Sequence, residues 1–124
     1  NSHPMFGVVT EWYYRWLGGI RPHPDFPGFK QFFLNPYTPD GLNYVRTNYH
    51  SPFGNIISNW EKSDNSITYE FEIPNETVAH VSIPINKTQS ISVLKFGLNL
   101  DEIDDFQDGE FMLSGGIYTI NIRE

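Results

Sequence analysis

With 124 residues, 39% of them hydrophobic and 19% charged, the chain is long enough for one domain with a real core, which excludes wholesale disorder. No cysteine is present, which excludes disulfides and thiolate metal sites and fits cytosol and periplasm alike. A net charge of −7 leaves no basic face for phosphate backbones, and no apolar run approaches the ~20 residues that cross a bilayer, so neither nucleic acid nor membrane is an expected partner.

The chain opens with NSHPMFG and reads as the interior of a longer folded protein. His3 precedes Pro4, so its backbone is pushed to an extended conformation and the ring projects from a stiffened loop. A neutral imidazole offers one donor and one acceptor, which suits a sugar hydroxyl and equally suits a hydrogen bond to a neighbouring loop. The spacing alone favours the second.

Residues Val8 to Leu17 predict a helix. Val9, Trp12, Tyr13, Trp16, Leu17 and Ile20 gather on one face, Glu11 suits the first turn, and Gly18 and Gly19 supply a left-handed stop. At this spacing Trp12 and Trp16 are expected in a core, although either ring could stack on a sugar. A helix face this heavy needs a large covering surface. Without one, it should fold back on the rest of the chain or drive self-association through Trp12, Trp16 and Leu17.

RPHPDFPG at residues 21–28 follows, with three prolines in eight residues, and predicts a stiff extended connector. His23 falls there and is expected at the surface. Everything beyond it predicts strands. GFKQFFLNP is a short apolar run closed by Pro36. LNYVRTNYH and NIISNWEK flank SPFG, a turn signal, and so predict a hairpin, with His50 at a surface strand end and Trp60 inward beside Ile56 and Ser58. ITYEFEI turns Ile67, Tyr69, Phe71 and Ile73 to one side; TVAHVSI buries Ala79, Val81 and Ile83 and leaves His80 outside. SISVLKFGLNL reads as a strand. EFML, a Ser-Gly-Gly turn and IYTINI close the chain, burying Tyr118, Ile120 and Ile122. The fold class is therefore mainly β: an antiparallel β-sandwich, jelly-roll-like, preceded by one N-terminal α-helix.

No residue pattern declares a complete active site. DEIDDFQDGE holds six carboxylates in ten residues, but Phe106 stands between Asp104 and Asp108 where a calcium loop needs an oxygen, so a solvated acidic loop is expected. His3, His23, His50 and His80 form no i, i+4 pair for zinc. LGGI and SGGI lack the lysine and spacing of a phosphate loop, and no serine sits in a nucleophile elbow. No metal or cofactor is expected.

HPMFGVVTEWYYRWLGGIRP, followed by PGFKQFFLNP, resembles the C-terminal part of bacterial α-L-rhamnosidases, and the closing Ser-Gly-hydrophobic-Tyr stretch is also similar to that family. The resemblance is specific over the first thirty-six residues and loose afterwards. It implies an inverting glycoside hydrolase with an (α/α)6 catalytic barrel followed by a β-sandwich, acting on rhamnose-containing carbohydrate. Residues 1–20 would be the last loop and helix of the barrel, 21–28 a linker and 29–124 the sandwich that supports it. His3 matches the family's sugar-contacting histidine, although Ser2 stands where many members carry asparagine. Trp12 and Trp16 become barrel-packing residues.

In the family both catalytic glutamates lie earlier in the barrel, so this chain would carry none and would be inactive alone. Glu11 sits after the histidine loop, inside the helix, and its expected part is structural. The alternative is a non-catalytic carbohydrate-binding β-sandwich module, which would show coplanar aromatics on an outer sheet face.

Overall fold

The computed structural model describes residues 16–96, 98–100 and 106–124. Two long strands organise it: β5 (Ser66–Ser82) and β8 (Glu110–Arg123), antiparallel along nearly their whole length. The other strands are β1 (Ile20–Pro22), β2 (Gln31–Leu34), β3 (Tyr44–Ser51), β4 (Gly54–Ser63), β6 (Ser90–Lys95) and β7 (Leu98–Asn99). The first half of β5 takes β4 on its free edge, and β4 takes β3. The second half of β5 takes β2 on that same edge, and β2 takes β1. β6 lies along the far edge of the C-terminal half of β8, with β7 beyond it. The β5–β8 ribbon is thus shared by two half-sheets.

A crease separates the halves. The β5–β8 register shifts between Ile73 and Val78, where Glu76 has a φ of 67° and the Thr77 hydroxyl donates to the Pro74 carbonyl at 2.7 Å. Gly115 faces this bulge from β8, and a Cβ there would lie 2.8 Å from Asn75 Cα and 2.9 Å from Pro74 O. Only glycine lets the two backbones approach so closely. Residues buried from both halves form one core, including Phe32, Leu34, Trp60, Tyr69, Phe71, Ala79, Val81, Leu113 and Ile120. The chain is mainly β and sandwich-like.

The inward alternations read from the sequence are found as expected for Tyr69/Phe71/Ile73, Ala79/Val81/Ile83 and Tyr118/Ile120/Ile122, and SPFG closes the β3–β4 hairpin. Three elements differ. ITYEFEI and TVAHVSI are one strand, and Ser114-Gly115-Gly116 is no turn but the crease inside β8. SISVLKFGLNL divides into β6 and the two-residue β7. The sheet is not wholly antiparallel: β2 runs parallel to β5, because the connection through residues 35–43 carries the chain back so that β3 runs in the same direction as β2, and the β3–β4 hairpin then brings β5 into that direction again. The segment 21–28 is extended at its start, yet Ile20 to Pro22 already belong to the sheet as β1, and Pro27–Phe29 forms a 3-10 turn.

Candidate functional site

The described chain begins at the last turn of a helix, Trp16 to Gly18, and that end is held by the sandwich. A helix C-terminus leaves carbonyls without intrahelical partners. Here the Trp60 Nε1–H donates to the Leu17 carbonyl at 3.1 Å, and the Ser58 hydroxyl donates to the Gly18 carbonyl at 2.6 Å, both from β4 and both buried. The Tyr37 and Asn35 amides donate to the Leu17 and Gly19 carbonyls, each at 3.0 Å. Gly19 takes a φ of 72°, and a Cβ there would collide with the Asn35 backbone. Leu17 and Ile20 are buried in the core. Side chains and main chain of the sandwich thereby fix Trp16 to Gly19 against β4 and the segment after β2.

Beside this anchor lies an outward face of unusual chemistry. The register aligns Arg21, Phe33, His80 and Met112 across β1, β2, β5 and β8. His23 stacks on Phe33, with ring centroids 4.9 Å apart and planes 17° apart, and meets Phe26 edge-on at 5.0 Å. His80 lies 5.5 Å from His23 and 5.6 Å from Phe33. Its Nε2 is 2.7 Å from Gln31 Oε1, so that nitrogen carries the proton, while the His23 Nδ1 accepts from the Asp25 amide at 3.1 Å. Met112 is 65% exposed. Trp16 and Tyr37, both largely exposed, pack ring to ring at 4.7 Å where the chain enters β1. Two imidazoles and three apolar side chains on an outer sheet face form a surface that water covers poorly.

Residues 19–95 match the family model for the bacterial alpha-L-rhamnosidase C-terminal domain. The chain belongs to that family. Among curated relatives, two proteins named alpha-L-rhamnosidase from Formosa agariphila are 26% and 27% identical over 92 residues, 74% of this chain and 10% of theirs. The rhamnosidase C-terminal domain described here therefore spans about a tenth of the length of those relatives. Its fold superposes on the alpha-L-rhamnosidase from Dictyoglumus thermophilum with a TM-score of 0.73 at 19% identity, covering 97% of this chain and 14% of that one. The alpha-L-rhamnosidase of Streptomyces avermitilis, solved in complex with L-rhamnose, gives a TM-score of 0.71 at 21% identity, over 95% of this chain and 11% of that one.

Of the residues singled out in the sequence, His3, Glu11 and Trp12 lie outside the described residues, as do residues 101–105 of the acidic run. Trp16 is 41% exposed and so is not part of this domain's core. Leu17, expected either to fold back on the rest of the chain or to serve self-association, is fully buried in the chain's own core, its carbonyl held by the anchor from β4. His50 is exposed, as expected. His23 and His80 are half-buried rather than free at the surface, because each packs on the other and on Phe33. Phe106, inside the acidic stretch, is buried and packs edge-on against Phe111 of β8 at 4.8 Å. Among the described residues no group of three or more His, Asp or Glu side chains could hold a metal ion.

Proposed function

We propose that this domain is the C-terminal support of an α-L-rhamnosidase, a glycoside hydrolase that releases terminal α-linked L-rhamnose with inversion. The observation that carries the reading is the family match over residues 19–95. The relatives' names supply the reaction class, and their greater length leaves room for a catalytic unit elsewhere in the polypeptide. Inversion requires one carboxylic acid to protonate the leaving oxygen and one carboxylate to activate water, ~6.5–9.5 Å apart. Both would come from that unit. From this chain His3 would reach the sugar-binding subsite, offering a donor or acceptor to a rhamnose hydroxyl.

The part played by the sandwich follows from its anchor. Residues 1–20 would be the last loop and helix of an (α/α)6 barrel, and the carbonyls of Leu17 and Gly18 are gripped by Trp60 and Ser58. Held in this way, residues 16–19 would help to position the barrel helix and, through it, the loop that carries His3. The His23–Phe33–His80–Met112 face and the Trp16–Tyr37 pair are the surfaces the catalytic unit would cover.

The test uses an α-L-rhamnoside with a chromogenic leaving group. The full-length polypeptide should turn it over, the 124-residue chain should not, and His3→Ala in the full-length protein should raise KM. Turnover by the 124-residue chain, or none by the full-length protein, would refute the reading.

A further inference from the structure

The opposite half of the sheet carries a different outer face. Two neighbouring cross-strand rows, Tyr44–Glu61–Thr68 and Arg46–Asn59–Glu70, line a concavity of about 220 Å³. The rows lie two residues apart, about 7 Å along the strands. Tyr44 is 60% exposed, and its ring stands at the edge with the Arg46 guanidinium 5.7 Å from its centroid.

The polar groups are oriented. The Arg123 Nε–H donates to Asn121 Oδ1 at 3.0 Å, and Asn121 Nδ2 donates to the Thr68 hydroxyl at 2.9 Å. Thr68 thus accepts from the β8 side, and its own hydroxyl proton remains available to donate. Asn59 Oδ1 accepts from the Thr47 amide at 3.1 Å, which leaves its Nδ2 group as the available donor. Among the described residues Arg46 makes no ion pair, although Glu61 and Glu70 flank it on the same face.

We infer that this concavity is a binding subsite for a single neutral pyranose ring. A sugar presents hydroxyls that donate and accept at once, together with a C–H face that packs on an aromatic ring. The concavity supplies acceptors in Glu61 and Glu70, donors in Arg46, Asn59 and Thr68, and the ring of Tyr44. An anion would meet two carboxylates, and a cation would meet the guanidinium. An apolar ligand would strip water from six polar side chains' worth of surface without replacing their hydrogen bonds. The volume admits one ring rather than an extended chain. The choice of L-rhamnose as that ring rests on the function proposed above; the site itself rests on the geometry.

The experiment is a titration of the 124-residue chain with methyl α-L-rhamnopyranoside, followed by amide 1H–15N NMR, with Ca2+ alone as a parallel arm. The expected result is saturable shifts confined to amides around Tyr44–Arg46, Asn59–Glu61 and Thr68–Glu70, with a Kd of about 1 mM for so open a site. Tyr44→Ala and Glu61→Ala, both at exposed positions, should each weaken binding about tenfold with spectral dispersion unchanged. Shifts that do not saturate by ~50 mM, or that map elsewhere, would overturn the subsite. So would Ca2+ moving the same amides when the sugar does not. Rhamnoside hydrolysis by the full-length protein with no sugar binding by this chain rejects the subsite and leaves the proposed function standing. Binding here without hydrolysis there does the reverse.

Discussion

The two halves of the β5–β8 ribbon share one core but show opposite outer faces. Toward β3 and β4 the outward rows are polar, with Arg46, Asn59, Glu61 and Glu70 meeting solvent across a shallow concavity. Toward β1 and β2 the outward row runs Arg21, Phe33, His80 and Met112, with His23 and Phe26 laid over it. Inward positions are dictated by the core in both halves, so the contrast resides wholly in side chains that folding leaves free. The aromatic and imidazole face adjoins the point where the helix end is gripped, and under the proposed function it is the face the catalytic unit would cover. The polar face keeps its donors and acceptors open to solvent and, by the inference above, to a sugar's hydroxyls.

The comparison breaks most violently at the crease that keeps the halves apart. Gly115→Val should cost about 3 kcal/mol, because its side chain meets Asn75 and Pro74 backbone with no room to yield. Chemical denaturation measures it, and a cost near zero would mean that the bulge can move away. Next comes the anchor. Trp60→Phe removes the donor to the Leu17 carbonyl and should cost about 2 kcal/mol, with faster amide exchange at Asn35 and Tyr37.

A smaller effect reads the shared core. Tyr69 is fully buried, its hydroxyl has no hydrogen-bond partner among the described residues, and burial pushes its pKa up to about 12 from 10.0. A raised folded-state value favours the neutral form, so the stability it confers is complete below pH 10 and is lost as pH climbs toward 12. The loss should be about 1 kcal/mol between pH 10 and 11. Tyr69→Phe should abolish that slope, and near neutral pH should be neutral or slightly stabilising, since it deletes an unsatisfied buried group. The smallest effect belongs to the aromatic face. Met112→Gln should change the stability of the 124-residue chain by less than about 0.5 kcal/mol, because that side chain faces solvent there.

The inner face was legible in the sequence because strand alternation is a local signal: Tyr69, Phe71 and Ile73 announce their side without knowledge of the partner strand. The crease was not. Pro74-Asn75-Glu76 and Ser114-Gly115-Gly116 use the residues of turns, and only their placement opposite one another makes them a bend in a continuous ribbon. The parallel β2–β5 pair was equally hidden, since it joins segments separated by a hairpin. The outer face escaped for the same reason. His23 lies among prolines and His80 at an outward strand position, and nothing local says that both pack on Phe33. The partner of Trp60 was illegible too, its indole reaching a carbonyl 43 positions away. His3 was singled out through family resemblance, the spacing around it being equally suited to an ordinary loop.

Oxidation of Met112 is the most direct test of the claim that one face of this domain is buried against a catalytic unit. The thioether should react readily with dilute peroxide in the 124-residue chain, where the side chain is 65% exposed, and be strongly protected in the full-length protein when both are followed by peptide mass spectrometry. Equal oxidation rates in the two would contradict it.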